Sequence, residues 1–334
     1  MNIIIPMAGQ GTRLRPHTLT SPKPLLCFAG KAMVEHIIDE LSLSVGTEIN
    51  EIGFVCGHFG KEAEEALLEC AAKKGAKGHI FYQDEPLGTG HAILCAKELL
   101  KGEVLVAFAD TLFIGSENML DCEQEGVIFT NKVENPQAFG VVVADETGRI
   151  NAFVEKPKVF ISDEAIIGIY YFKDGKNLHK ELQYLIDTDF RRGKEYQLTD
   201  ALENMLQKGL SFARANVEQW LDCGNKDATI DTHTALFKSK PQLHSVSASA
   251  EQKNSKIIEP CFIAKGVVLE NAIIGPCVSI EKNCIIKNSN IDNSILQQEI
   301  QVENANLQRS MIGNKATVKN HKGVVSLGDY SQVE

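Results

Sequence analysis

The chain has 334 residues, which at about 150 residues per domain points to two domains. Apolar residues make up 43% and charged residues 23%, close to the globular average, and no apolar run approaches the ~18 residues of a membrane span, so a disordered chain and an integral membrane helix protein are both excluded. Acids outnumber bases 44 to 34, and a net charge of −10 argues against DNA or RNA as partner.

The first apolar run, residues 2–5, reads as a strand; it is too short and lacks the basic flank of a secretory signal. A glycine-rich segment follows, Ala8-Gly9-Gln10-Gly11-Thr12-Arg13-Leu14, leading on to Pro22-Lys23-Pro24-Leu25. No acid precedes Glu35, whereas Arg13, Arg15, Lys23 and Lys31 do, so an acidic chain opens with a purely basic block. Glycines let backbone N–H groups approach a ligand, and arginine and lysine add charge, which together suit a polyphosphate. The dinucleotide fingerprint fails because position 14 is Leu14, and the P-loop fails because Gly11 is followed by Thr12-Arg13.

Residues 31–45 and 61–74 carry apolar positions at helical spacing and stop at Gly46 and Gly75, while residues 51–56, 79–82 and 103–108 read as strands. The turn Gln83-Asp84-Glu85-Pro86-Leu87-Gly88-Thr89-Gly90-His91 opens a helix near His91, with Thr89 as candidate cap. Alternating strands and helices predict a doubly wound, mostly parallel sheet, whose ligands bind beyond the carboxyl ends of the strands. Asp110 stands just past such a strand; Glu155-Lys156 sets an acid beside a cation at another strand end; Asp222 lies in Trp220-Leu221-Asp222-Cys223-Gly224. Each also has a plain structural reading, as a turn cap or an exposed ion pair. Two carboxylates facing a basic loop would suit Mg²⁺, which takes one or two carboxylates and completes its shell with phosphates and water.

Residues 239–256 are polar and serine-rich and read as a linker. Beyond them, branched aliphatic residues recur at 263, 269, 274, 280, 286, 291, 296, 302, 307, 312 and 318, a period of about 5.5 residues that fits a parallel β-helix of three to four coils over 257–334. The expected domains are therefore 1–238, a linker 239–256, and 257–334. Nine cysteines, at 27, 56, 70, 95, 122, 223, 261, 277 and 284, show no C-x-x-C spacing and read as reduced thiols of a cytoplasmic protein.

Taken together and in this order, these motifs resemble the sugar nucleotidyltransferases, or nucleoside-diphosphate-sugar pyrophosphorylases. The resemblance rests on Gly9-x-Gly11-Thr12-Arg13-Leu14-x-Pro16-x-Thr18, Pro22 through Leu25, Gln83 through His91, Asp110, Phe153 through Pro157, and Trp220-x-Asp222-x-Gly224. It implies a Rossmann-like catalytic domain followed, as in long members, by a short left-handed β-helix. It also implies a reaction that joins a nucleoside triphosphate to a sugar 1-phosphate and releases pyrophosphate. Ala8, Gly9, Gly11 and Thr12 would line the nucleotide, and Gln83, Gly88 and Thr89 would read the base. Arg13 and Lys23 would hold the β- and γ-phosphates, and Asp110 and Asp222 would bind Mg²⁺. Lys156 would hold the sugar phosphate for in-line attack on the α-phosphorus, with Glu155 and Gly140 against the sugar.

The turn at Gln83 is most like that of dTTP or UTP users, and glucose 1-phosphate is the default acceptor. Mannose-1-phosphate guanylyl transfer and N-acetylglucosamine-1-phosphate uridylyl transfer are the alternatives. Ala109, Ile167 and Asn225 depart from the family's usual residues. Two other classes compete: a silent nucleotide-sugar-binding regulatory subunit, expected to lack a cation or metal acid, and a β-helix acyltransferase, disfavoured because His244 and His321, the histidines beyond residue 238, fall outside the repeat. The tail is expected to mediate self-association or regulation.

Overall fold

The computed structural model describes residues 1–115, 120 and 124–334. Cys122 lies outside the described residues. The chain divides into two compact units, Met1–Gly9 with Ile37–Trp220, and Gln10–His36 with Leu221–Glu334.

The first unit is built on the strands β1 (Asn2–Pro6), β2 (Glu51–Cys56), β3 (Lys77–Tyr82), β4 (Val104–Ala107), β5 (Thr111–Ile114), β6 (Gly126–Lys132), β7 (Gly140–Ala144), β8 (Ile150–Glu155), β9 (Glu164–Phe172) and β10 (Phe212–Asn216). Nine of them, all but β5, form one sheet in the order β8-β7-β9-β4-β1-β2-β3, with β6 paired to β9 and β10 to β6. The β4-β1-β2-β3 half is parallel. β9 runs antiparallel to β4, β6 and β7, so the sheet is mixed rather than parallel throughout. β1 reads as a continuous apolar run because it is central: Ile3, Ile4 and Ile5 are fully buried. The order turns at β1: the chain runs outward through β2 and β3 and then returns to lay β4 on the other side of β1, which makes the carboxyl ends of β1 and β4 the switch point of the sheet.

Its helices are the bulk of α1 (Met33–Val45), then α2 (Lys61–Ala72), α3 (Thr89–Cys95), α4 (Gly175–Asp187) and α5 (Leu198–Gln207). Apolar faces of α3, α4 and α5 share one core with Ile4, Val106, Ile128, Val142, Phe172 and Phe212.

In the second unit, parallel strands stack into two six-stranded sheets and one five-stranded sheet, the three walls of a left-handed β-helix. All eleven aliphatic residues of the 5.5-residue period lie in its core. The wall changes direction at residues with positive φ: Asn254, Asn271, Asn288, Asn304 and Asn320 line one corner at φ between 48° and 52°. Asparagine tolerates this left-handed conformation, and here each side-chain amide also donates to the next, over 2.9, 3.0, 3.2 and 3.3 Å.

The serine-rich stretch expected as a linker is instead the first coil. Ser245–Val246, Glu251–Lys253 and Lys256–Ile257 each pair in parallel with the following coil. A terminal coil has a neighbour on one side only, so its sequence is more polar than the repeat and the period fades there. The β-helix is thereby longer than three to four coils and takes in His321, while His244 stands just before its first strand. His244 is tied to the backbone of Cys261.

The compact units are not continuous stretches of chain. The basic segment Gln10–His36 and the helix α6 (Lys226–Ser239) group with the β-helix. A short hairpin, Cys27–Phe28 with Lys31–Ala32, docks on the wall: the Ala29 N–H donates to Ser279 Oγ at 2.7 Å, and Gln297 Nε2 donates to the Cys27 carbonyl at 2.8 Å. Gly30, at φ 80°, sits where a methyl group would lie 2.4 Å from the Phe262 ring, so this close approach requires glycine.

The eight described cysteines are all free. Burial pushes the Cys56 and Cys284 thiols up to about 12 and Cys261 to about 11, which makes them inert packing groups. No helix among the described residues is long and apolar enough to cross a membrane.

Candidate functional site

In the first unit, β8 ends on Glu155, and its antiparallel pairing with β7 sets Glu155 opposite Gly140. The Thr199 hydroxyl donates to Glu155 Oε2 at 2.9 Å. A methyl group on Gly140 would stand 3.1 Å from that same oxygen and 3.1 Å from Thr199 Cγ2, so glycine keeps room for the pair. Lys156 follows with φ 42°, an uncommon conformation for a non-glycine residue, held by its N–H donating to the Phe139 carbonyl at 3.1 Å. Such local strain, of order 1–3 kcal/mol, persists where the surroundings over-determine it. The Lys156 ammonium is 3.6 Å from Glu155 Oε1 and largely exposed.

Glu155 and Lys156 line a cleft of about 600 Å³ together with Pro157, Ile161, Arg192 and Gln197. Arg192 is gripped by the buried Asp200 through Nε at 3.1 Å and Nη2 at 2.6 Å, and this hydrogen bonding raises its pKa further above the ordinary value. Sequence reasoning did not find Arg192, Gln197, Thr199 or Asp200. The available signal was Gly193-Lys194-Glu195 followed by Gln197, Thr199 and Asp200 at the start of a helix.

The turn before α3 is pinned to the same run. Tyr196 accepts from the Gly90 N–H at 2.9 Å and donates its own N–H to the Leu87 carbonyl at 2.8 Å. Gly88, at φ 108°, leaves no space for a Cβ, which would lie 2.6 Å from the Tyr196 carbonyl oxygen. Thr89 does not cap the helix it begins. Its hydroxyl donates to Gln197 Oε1 at 3.3 Å and accepts the Leu198 N–H at 3.0 Å, so it caps α5 instead. Gln83 Nε2 donates to the Gly88 carbonyl at 3.0 Å and lies 3.2 Å from His91 Nδ1.

Asp110 lies just past β4 on a loop fixed by three bonds: Ala109 N–H to the Pro6 carbonyl at 3.3 Å, Phe108 N–H to the Gly168 carbonyl at 3.0 Å, and the Thr111 hydroxyl to the Ile167 carbonyl at 2.7 Å. Ala109 has no positive φ, so its backbone does not need the family's usual glycine. Gly9 also belongs to this unit, and a methyl group there would meet no protein atom within 4 Å.

In the second unit, Gly11 adopts φ 58°, its carbonyl accepts the Thr18 hydroxyl at 2.8 Å, and an added Cβ would lie 3.1 Å from Thr18 Cγ2 and 3.2 Å from Lys23 Cβ. The segment is thus a folded cradle rather than a loose basic loop. Thr12–Leu14 and Lys23–Leu25 each form a single 3-10 turn, with Arg13 exposed and Lys23 half-buried. Asp222, at the end of β11 (Gln219–Asp222), accepts the Gly224 N–H through Oδ1 at 2.8 Å. A methyl group on Gly224 would stand 3.0 Å from both Asp222 carboxylate oxygens and 3.3 Å from Arg13 Nη2, so the carboxylate and the guanidinium converge there. Asn225 serves as N-cap of α6, accepting the Ala228 N–H at 3.0 Å, which gives this departure a local structural role.

Among the described residues no group of three or more His, Cys, Asp or Glu side chains could hold a metal ion. Mg²⁺ does not require such a cage, since it uses one or two carboxylates with substrate oxygens and water, and Asp110 in the first unit and Asp222 in the second each offer hard oxygen donors of that kind.

Residues 2–239 match the model of the nucleotidyl transferase family. The chain is 28% identical to a glucose-1-phosphate thymidylyltransferase of Streptomyces antibioticus, over 100% of this chain and 99% of that protein. It is 28% identical to the bifunctional protein GlmU of Alkaliphilus metalliredigens over 100% of this chain and 76% of the relative. It is also 30% identical to the low-salt glycan biosynthesis nucleotidyltransferase Agl11 of Haloferax volcanii, over 72% of this chain and 67% of that protein. With the glycine-rich basic cradle, the Glu155-Lys156 strand end and a family match that spans both, the chain belongs to the nucleotidyl transferase family, as a sugar nucleotidyltransferase.

Proposed function

We propose that the protein transfers a nucleotidyl group from dTTP or UTP to glucose 1-phosphate in the presence of Mg²⁺, releasing pyrophosphate. The observation that carries this reading is the Gly140, Glu155 and Thr199 cluster beside the cleft that Glu155 and Lys156 line. It offers a fixed carboxylate to accept sugar hydroxyls and a cation for the sugar phosphate, with a glycine where a side chain would crowd the carboxylate and the threonine that anchors it. The full-length similarity to a thymidylyltransferase supports the choice of substrates.

A sugar 1-phosphate is already ionised at neutral pH, so its oxygen needs no general base. The difficulty is to bring two anions together, and catalysis then rests on positioning and charge cancellation. Arg13 and Lys23 would hold the β- and γ-phosphates and stabilise departing pyrophosphate. The open space over Gly9 and the tight turn at Gly11 let backbone N–H groups approach the triphosphate. Lys156 would orient the acceptor phosphate, and Glu155, its second oxygen anchored by Thr199, would orient the sugar. Asp110 and Asp222 would hold Mg²⁺, which when bound supplies further neutralisation of phosphate charge.

Both contacts of the Gln83 amide use its nitrogen, leaving the carbonyl oxygen to accept an N–H, and thymine and uracil present such a donor at N3. Dependence on nucleoside triphosphates fits an enzyme of the cytoplasm. The test is pyrophosphate release by the purified full chain across dTTP, UTP, GTP and ATP, each paired with glucose, N-acetylglucosamine and mannose 1-phosphates. Fastest turnover with dTTP or UTP and glucose 1-phosphate is expected. A preference for GTP with mannose 1-phosphate, or UTP with N-acetylglucosamine 1-phosphate, would replace the substrate assignment. No release with any pair would favour a binding-only regulatory subunit.

A further inference from the structure

The basic segment is secured at its forward end by the last coil of the β-helix, across more than three hundred residues of chain. Thr20 Oγ1 donates to Asp329 Oδ2 at 2.7 Å, and His17 Nε2 lies 3.1 Å from Ser326 Oγ. Next to the His17 bond Pro16 packs against Gly328, where an added methyl would lie 3.0 Å from Pro16 Cβ and 3.4 Å from its carbonyl oxygen. His17 is almost wholly buried, and burial lowers its pKa to about 4, so it stays neutral in this contact at ordinary pH.

Asp329 is itself held by the preceding coil. Its Oδ1 accepts the Asn314 N–H at 2.7 Å, and its Oδ2 accepts from Asn314 Nδ2 at 3.0 Å. Asn314 Oδ1 in turn accepts the Gln298 N–H at 3.2 Å, one coil further back. A chain of side-chain bonds therefore runs along the wall and ends on the segment that carries Arg13 and Lys23.

We propose that the last coil of the β-helix sets the position of the phosphate-binding segment, with Asp329 and Ser326 as positioning residues that act through Thr20 and His17. This assigns the tail a part in substrate binding beyond stability, and it rests on reading residues 8–25 as the site for the triphosphate. The bonds within the segment are local, the backbone turns Leu14 N–H to Gly11, His17 N–H to Leu14 and Leu19 N–H to Pro16 and the Thr18 hydroxyl to Gly11, whereas those to the last coil tie it to a distant part of the chain. Holding it at 16–20 from outside reduces the ordering that nucleotide binding must otherwise supply.

The test uses three variants of the full chain. Thr20→Val removes the bond to Asp329 from the loop side, Thr20→Ser keeps a hydroxyl, and Gly328→Ala wedges Pro16 away without requiring a positive φ. Thr20→Val and Gly328→Ala are expected to raise the KM for dTTP about three- to tenfold, the range of one net hydrogen bond, while the KM for glucose 1-phosphate moves less than about twofold. Thr20→Ser restores the dTTP value. Amide hydrogen exchange is expected to quicken over residues 11–22 in the first two variants and to stay unchanged in the β-helix core. Folded variants with an unchanged dTTP KM would overturn the proposal, even if exchange quickened. Should the wild type turn over no substrate pair, the functional reading fails separately. The coupling is then judged on exchange alone: faster exchange in Thr20→Val but not Thr20→Ser supports it, and equal exchange refutes it.

Discussion

The β-helix wall and the carboxyl edge of the sheet specify their geometry in opposite ways. In the wall, residues one coil apart meet their own kind: Asn254, Asn271, Asn288, Asn304 and Asn320 bond in a ladder, and Ile263 and Ile280 stack in one core. At the sheet edge no such repeat exists. Thr199 reaches Glu155 across 44 residues and Thr89 reaches Gln197 across 108. Short-range repetition makes a rigid mount, and long-range contacts between unlike residues make a shaped cleft. Substitutions at matched positions in the two regions should separate these roles.

The largest effect is expected for Lys23→Ala, where loss of one electrostatic element costs turnover about 10²–10³-fold while the melting profile stays close to wild type. Asp110→Ala is expected to do the same from the sheet side. Steady-state pyrophosphate release beside a thermal melt checks both, and wild-type turnover in Asp110→Ala would remove it from the metal-binding role. In the wall, Ile291→Ala is expected to cost about 3 kcal/mol of stability, as truncation of a fully buried aliphatic does. Chemical unfolding followed by circular dichroism measures this, and a loss below about 1 kcal/mol would mean that the stack re-packs.

This contrast also explains what the sequence revealed. The 5.5-residue period exposed the β-helix because every coil repeats the same burial, and it faded at Ser245–Val246 because an end coil has one exposed side. The strand ends carrying Asp110 and Glu155 were legible because apolar runs stop there. Thr199 and Asp200 were not, since a threonine and an aspartate at a helix start look like ordinary capping residues until the fold brings them to Glu155 and Arg192. The attachment of Gln10–His36 to the β-helix was invisible for the same reason: His17 and Ser326 share no local pattern.

Glu281 tests the cost of a polar group in the wall. It is 6% exposed, and burial pushes its pKa up to about 7, with Glu35 adding to the rise and Lys282 opposing it. The unfolded chain loses this proton near 4.5, so between that pH and about 7 the folded state binds the extra proton. Stability therefore falls as pH rises through this window, and the cost is complete above it. Glu281→Gln is expected to stabilise by about 2 kcal/mol at pH 8.5 and to change little at pH 4.5. Equal effects at both pH values would contradict burial of the charge as the cause.

The smallest effect is expected for Thr199→Val at the sheet edge. Loss of its bond to Glu155 removes about 1 kcal/mol of orientation, seen as a roughly fivefold rise in the KM for glucose 1-phosphate with the dTTP value unchanged. An equal rise in both constants would show a general distortion.

The most direct measurement is pyrophosphate release by the full chain with dTTP, glucose 1-phosphate and Mg²⁺, run in parallel for wild type and Lys23→Ala. Release by the wild type, with the variant at least about 100-fold slower and still folded, is the expected result. A wild type that releases nothing with any triphosphate and sugar phosphate, or a variant as fast as the wild type, would contradict nucleotidyl transfer by charge cancellation on the basic cradle.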